Sequence, residues 1–212
     1  MPTLNSGEIF TCRGTVDVSS GTFTGRAGQF SRTLLTQEDN TIRGVTLSEL
    51  RVWDDLTSSL PGTAAADDLA IIEGTYGTDA PTVQSSDSQS TSVTQYARFF
   101  IPIDHNYVSG ETMQIRIRGG MITTIADTSA TVDLSIYTND RDGAVGSDLC
   151  ATAAQSINSL TKANADFTVT TTSLVQGDVL DVRLVVAIVD SSASTAVIGE
   201  VSYIGFMRDT KG

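Results

Sequence analysis

The chain has 212 residues, 40% of them hydrophobic and only 18% charged, with a formal net charge of −12 and a pI near 4.3. That length supports one large core, while an acidic surface repels nucleic-acid phosphates and anionic lipid, which argues against nucleic-acid and membrane partners. No apolar stretch approaches membrane-spanning length, and the abundance of Gly, Ser and Thr suits short strands and turns better than helical bundles.

Residues 1–45 stand apart from the rest. They show no sustained period of two or 3.6, and Arg13, Arg26, Arg32 and Arg43 offset Glu8, Asp17, Glu38 and Asp39. The whole −12 therefore falls on residues 46–212. This pattern predicts an extended N-terminal arm lying on a neighbouring subunit. A loosely ordered segment is the alternative, but Phe10, Phe23 and Phe30 are out of place in a purely solvated tail. The opening MPTLNSGEIF lacks the basic-then-apolar run of a secretory signal, so synthesis in a cytoplasm is expected.

Within 46–212, TLSELRVWDDL admits either a short helix through Leu50, Trp53 and Leu56 or a strand through Glu49–Trp53. A Pro-Gly turn at Pro61–Gly62 precedes an apolar run, Leu69–Ile72, that reads as a strand. Pro81–Gln95 reads as a long polar loop, mobile or available to a partner. From Tyr96 the alternation is clear. YARFFIPI is a strand whose Pro102 marks an edge or an end. Met113, Ile115 and Ile117 alternate with polar neighbours, as do Val132, Leu134 and Ile136. Ser147–Asn164 reads as a helical turn or a crossover, after which Phe167 and Val169 open another strand. In QGDVLDVRLVVAIVD, Leu180, Val182, Leu184, Val186 and Ile188 recur at every second position, the mark of a strand with one face in a core. VIGEVSYIGFM supplies the last strand. About eight strands predict an all-β, jelly-roll-like antiparallel β-sandwich. An immunoglobulin-like order stays open.

No catalytic constellation accompanies these strands, so the chain is read as a non-enzyme with no cofactor and no metal. Asp140 and Asp142 before Gly143 suggest a calcium loop, but EF-hand spacing would place the first ligand at Thr138 and the closing acid at Leu149. An Asp-Gly hairpin turn explains Asn139–Asp148 better, with a weak Ca²⁺ site of another geometry as the alternative. His105 is the only histidine, and it has neither a GxSxG serine nor a second imidazole to work with. Cys12 and Cys150 lack zinc spacing and read as free thiols, with a long-range disulfide as the alternative. The carboxylate pairs Asp54–Asp55, Asp67–Asp68 and Asp178 with Asp181 read as solvated turn residues, although a glycosidase could use two of them. Trp53 and the singly scattered Tyr96, Tyr107, Tyr137 and Tyr203 offer little for sugar stacking. Gly119–Gly120 and Gly143–Gly146 lack the context of a phosphate cradle.

The segments ARFFIPIDHNYVSGETMQIRIRGGM, TSATVDLSIYTNDRDGAVGSDLCATAAQSINSL and FTVTTTSLVQGDVLDVRLVVAIVDSS resemble tailed-bacteriophage virion proteins, in particular jelly-roll head-decoration, or cement, proteins. The resemblance spans about residues 45–212. It implies a sandwich on the outer surface of an assembled capsid, often a trimer, with the major capsid protein as partner and no catalytic residue. A tail, baseplate or fibre protein binding a host receptor or glycan is the alternative, and a small glycan-degrading enzyme ranks last.

Overall fold

The computed structural model describes residues 40–139 and 145–209. Residues 1–39 of the expected arm, Cys12, and the Asp140, Asp142 and Gly143 turn lie outside the described residues. Among the described residues there are ten strands: β1 (Asn40–Gly44), β2 (Ala70–Ile72), β3 (Thr82–Gln84), β4 (Ser92–Pro102), β5 (Met113–Met121), β6 (Ser129–Asn139), β7 (Gln155–Ser156), β8 (Ala163–Val169), β9 (Val179–Val189) and β10 (Gly199–Asp209). They form a six-stranded sheet, ordered β2-β3-β10-β5-β8 with β1 also on β10, and a four-stranded sheet, ordered β4-β9-β6-β7.

The pairing is nested. β6 pairs with β7, β5 with β8, β4 with β9 and β3 with β10, all antiparallel. This is the order made by rolling one long hairpin into two stacked sheets, and it is a jelly roll. It excludes the immunoglobulin arrangement, whose sheets are assembled differently. Between the sheets lies the core. Phe99 and Ile101 from β4, Leu134 and Ile136 from β6, and Val182, Leu184 and Val186 from β9 face Ile115, Ile117, Phe167, Val201 and Ile204. Fully burying a side chain of this size contributes about 1.5–3 kcal/mol, and the strict alternation along β9 is what aims five of them inward.

Several sequence expectations change. Pro81–Gln95 is not one long loop: it contains β3 and the start of β4, and the connection between them is pinned by buried serines. The Ser88 hydroxyl donates to the Val197 carbonyl at 3.0 Å, and the wholly buried Gln95 accepts the Ser86 N–H. Phe167 and Val169 close β8 rather than open it, because the strand begins at Ala163. Ser147–Asn164 holds the two-residue β7 and no helix. Neither option for TLSELRVWDDL is realised as a full element: Leu47–Glu49 is a single 3-10 turn and Arg51 makes only β-bridges. Residues 40–44, read from sequence as arm, pair with β10. A bulge at Ser202 kinks β10, and its outer edge changes partner there, from β3 at Glu200–Val201 to β1 at Gly205–Asp209.

Candidate functional site

The outer face of the four-stranded sheet carries the site. Register places three rungs across β4, β9 and β6: Phe100–Asp181–Tyr137, Arg98–Arg183–Ser135 and Tyr96–Val185–Asp133. The middle rung sets two arginines directly opposite each other, which is unfavourable unless their charge is taken up nearby. It is taken up diagonally. Both oxygens of Asp181 bind Arg98, the Nε contact being 2.7 Å, so the pair is bidentate. Hydrogen bonding to Asp181 raises the pKa of Arg98 and holds it charged. Arg183 turns the other way. Its guanidinium lies over the rings of Tyr96 at 5.2 Å and Trp53 at 5.7 Å, and its Nη2 donates to Ser135 at 3.2 Å.

Trp53 reaches this face because the segment 51–69 folds along the free edge of β4. Arg51 and Arg98 exchange backbone hydrogen bonds at 2.8 and 3.0 Å, and Tyr96 donates to the Asp67 carbonyl and accepts from the Leu69 N–H. The edge is thus closed against pairing with another chain. The indole packs 5.1 Å from the Tyr96 ring, and its Nε1–H donates to Asp67 at 2.8 Å. The result is an open concavity of about 340 Å³ beside Trp53, with Tyr137 and Val145 on its wall and the Arg98–Asp181 pair among its lining groups. Arg183 and Asp54 complete the lining, giving two cations and two carboxylates. Two other depressions, of about 400 and 530 Å³, contain no aromatic ring in their walls. Volume does not single out the Trp53 site; its chemistry does.

Nearby, Asp68 stands out. Its Oδ1 is buried without a hydrogen-bond partner, and burial together with the charges of Asp67 and Asp54 pushes its pKa up. Several of the other candidate carboxylates have partners. Asp55 caps the turn at Thr57 and Ser58. Asp178 accepts the Val175 N–H, and Asp181 is bound by Arg98. Asp148 accepts the N–H groups of Ile136 and Cys150. At one end of the sandwich Asp190, 3% exposed, takes the N–H groups of Ser90, Asp127 and Ala193 at 2.7–3.1 Å. Asp127 in turn binds the hydroxyls of Ser191 and Ser192, which hold its carboxyl below the usual range.

His105 sits exposed in the β4–β5 turn. Cys150 is a half-buried free thiol whose pKa burial pushes up, the opposite of an activated nucleophile. Asn139 bridges Val145 across the turn expected as a hairpin. Gly119 and Gly120 serve a close approach in β5: a Cβ on Gly120 would meet the Ser159 carbonyl at 3.0 Å. Among the described residues no group of three or more His, Cys, Asp or Glu side chains could hold a metal ion.

No protein-family model matches this chain, and no curated protein matches it in sequence. Solved structures do resemble it. The CBM22-1 xylan-binding domain from Paenibacillus barcinonensis Xyn10C is 11% identical, with a TM-score of 0.40 over 80% of this chain and 97% of that one. The xylan-binding module CBM15 is 13% identical, with a TM-score of 0.42 and the same coverage. A chain of infectious bursal disease virus, Gx strain, is 16% identical at a TM-score of 0.39, over 90% of this chain and 38% of that one. At these scores the likenesses add nothing to what the strand order establishes. The functional reading rests on this chain's own residues.

Proposed function

We propose that this chain is a structural virion protein that binds the outer surface of an assembled tailed-phage capsid and stabilises it as a decoration, or cement, protein. Its partners are the major capsid protein and further copies of itself, as a trimer. The resemblance in the β4–β5, β6–β7 and β8–β9 segments supplies the setting. The observation that carries the reading is the destination of the acidic side chains. Among the described residues Asp190, Asp127, Asp178 and Asp55 cap turns and tie loops, and so stiffen the body. A passive clamp needs such a body, here with the β4 edge covered and an acidic exterior toward solvent. It acts by mass action, because a protein that binds only the assembled lattice stabilises that lattice.

The test is addition of the purified full chain to capsids lacking it. Co-sedimentation with intact shells, and a rise in the temperature at which they open, supports the proposal. Binding to unassembled capsid subunits with equal strength contradicts it.

A second reading has an observation of its own. The Trp53 concavity is the kind of surface that a tail, baseplate or fibre protein presents to a host receptor or glycan.

A further inference from the structure

We propose that the Trp53 concavity is a binding site for a neutral glycan, with Trp53 and Tyr137 offering ring surface and the Arg98–Asp181 pair offering hydrogen bonds to adjacent hydroxyls. The inference extends the receptor-or-glycan reading above to a named site and ligand class, and it holds wherever in a particle the chain sits.

Charge is the first argument. Arg98 and Arg183 balance Asp181 and Asp54, so the groove is electrically neutral within a chain of net charge −12. A charged ligand finds no counter-charge there, and a nucleic-acid strand is repelled by the body as a whole. Amphiphilicity is the second. A sugar presents C–H faces that lie on aromatic rings and hydroxyls that bond to planar, bidentate groups. The site brings those two surfaces together: the rings of Trp53 and Tyr137 and the bidentate Arg98–Asp181 pair all line it. A bidentate pair bound to itself leaves outward N–H groups and lone pairs without a net charge to neutralise, which suits neutral hydroxyls.

The covered edge of β4 favours a glycan over a peptide. An extended peptide gains most of its affinity by adding to a free strand edge. The edge beside this groove, that of β4, is occupied by Arg51 and by Asp67–Leu69. What remains exposed is side-chain surface. Preorganisation is the fourth. Arg98, Asp181, Arg183 and Tyr137 stand on paired strands, and Trp53 is fixed by Tyr96, Arg183 and Asp67, so little ordering remains to be done on binding. The two carboxylates that line the groove are arranged for binding. Asp181 is held by Arg98 and Asp54 is exposed, so neither is the buried, counter-ion-free acid that glycoside hydrolysis uses.

Trp53 is the only tryptophan, so tryptophan emission, excited selectively over the five tyrosines, reports on this site alone. The full chain is run in native affinity gels containing hydroxyethylcellulose, galactomannan or dextran, with alginate as an anionic comparator, and titrated with each in solution. The expected result is retardation by at least one neutral polysaccharide, a change in Trp53 emission, and no retardation by alginate. Tyr137→Ala, and independently Val145→Glu, then weaken binding roughly tenfold or more, the cost of losing a central contact, with melting temperatures close to the parent. No retardation and no emission change with any polysaccharide overturns the proposal, as does preference for alginate. Retardation that leaves Trp53 emission unchanged and survives both substitutions removes this groove while leaving glycan binding in place.

Discussion

Asp68 and Asp181 are two carboxylates with opposite circumstances. Asp181 is matched by Arg98, whereas Asp68 is buried at one oxygen without a donor and lies near Asp67 and Asp54. A carboxyl whose pKa is raised by folding binds its proton more tightly in the folded state. The stability linked to it is present at low pH and is lost as pH rises from the unfolded value through the folded one. Asp68→Asn therefore raises the melting temperature at pH 7, and the gain disappears below about pH 4, the ordinary carboxylate range. Thermal melts of both proteins across pH 3–8 check this. Asp181→Asn does the reverse: it leaves Arg98 and Arg183 facing each other across β4 and β9. The expected cost is about 1–2 kcal/mol, since the pair is only partly shielded from water. Replacing Arg183 by Met in the same chain recovers part of it in a double-mutant cycle. At the sandwich end, Asp190→Ala strands three backbone N–H groups and costs about 3 kcal/mol by denaturant unfolding.

At the scale of elements, the strands that were legible from sequence are those with a run of large apolar residues at successive inward positions. β9, β5 and β6 are of this kind, because one buried face imposes period two on the residues themselves. β3 and β7 were not legible. They have three and two residues, mostly polar, and are strands only because β10 and β6 lie beside them. The Trp53 site was hidden for a related reason. Tyr96 and Tyr137 are forty-one positions apart in the chain and come onto one face only through their common neighbour β9. The available signal was in the outward positions: rings and charges at Tyr96, Arg98, Phe100, Asp181 and Arg183, where a merely solvated face carries Ser and Thr. Element stability should follow position in the sheets. In native-state hydrogen exchange the slowest amides are expected in β9, β5 and β10, which are paired on both sides, and the fastest among the strands in β1 and β7. Uniform protection across all ten strands would contradict this.

For the whole molecule, the nested strand order makes the body a closed unit from β1 onward, and residues 1–39 precede it. The cement proposal gives those first residues a contact role rather than a part in the core. Deleting residues 1–39, ahead of β1, is expected to leave the melting temperature of the body nearly unchanged while weakening capsid binding at least about tenfold. Full-strength binding by the shortened chain would contradict the assignment. The central claim concerns the shell as a lattice, and symmetry then dictates stoichiometry. Copy number per particle, by quantitative mass spectrometry of purified virions against the major capsid protein, tests it most directly. The account predicts a lattice-wide ratio, near one-to-one or another simple fraction of the capsid subunits. About a dozen copies or fewer, the number suited to a neck, tail or fibre position, or absence from the particle, would contradict it.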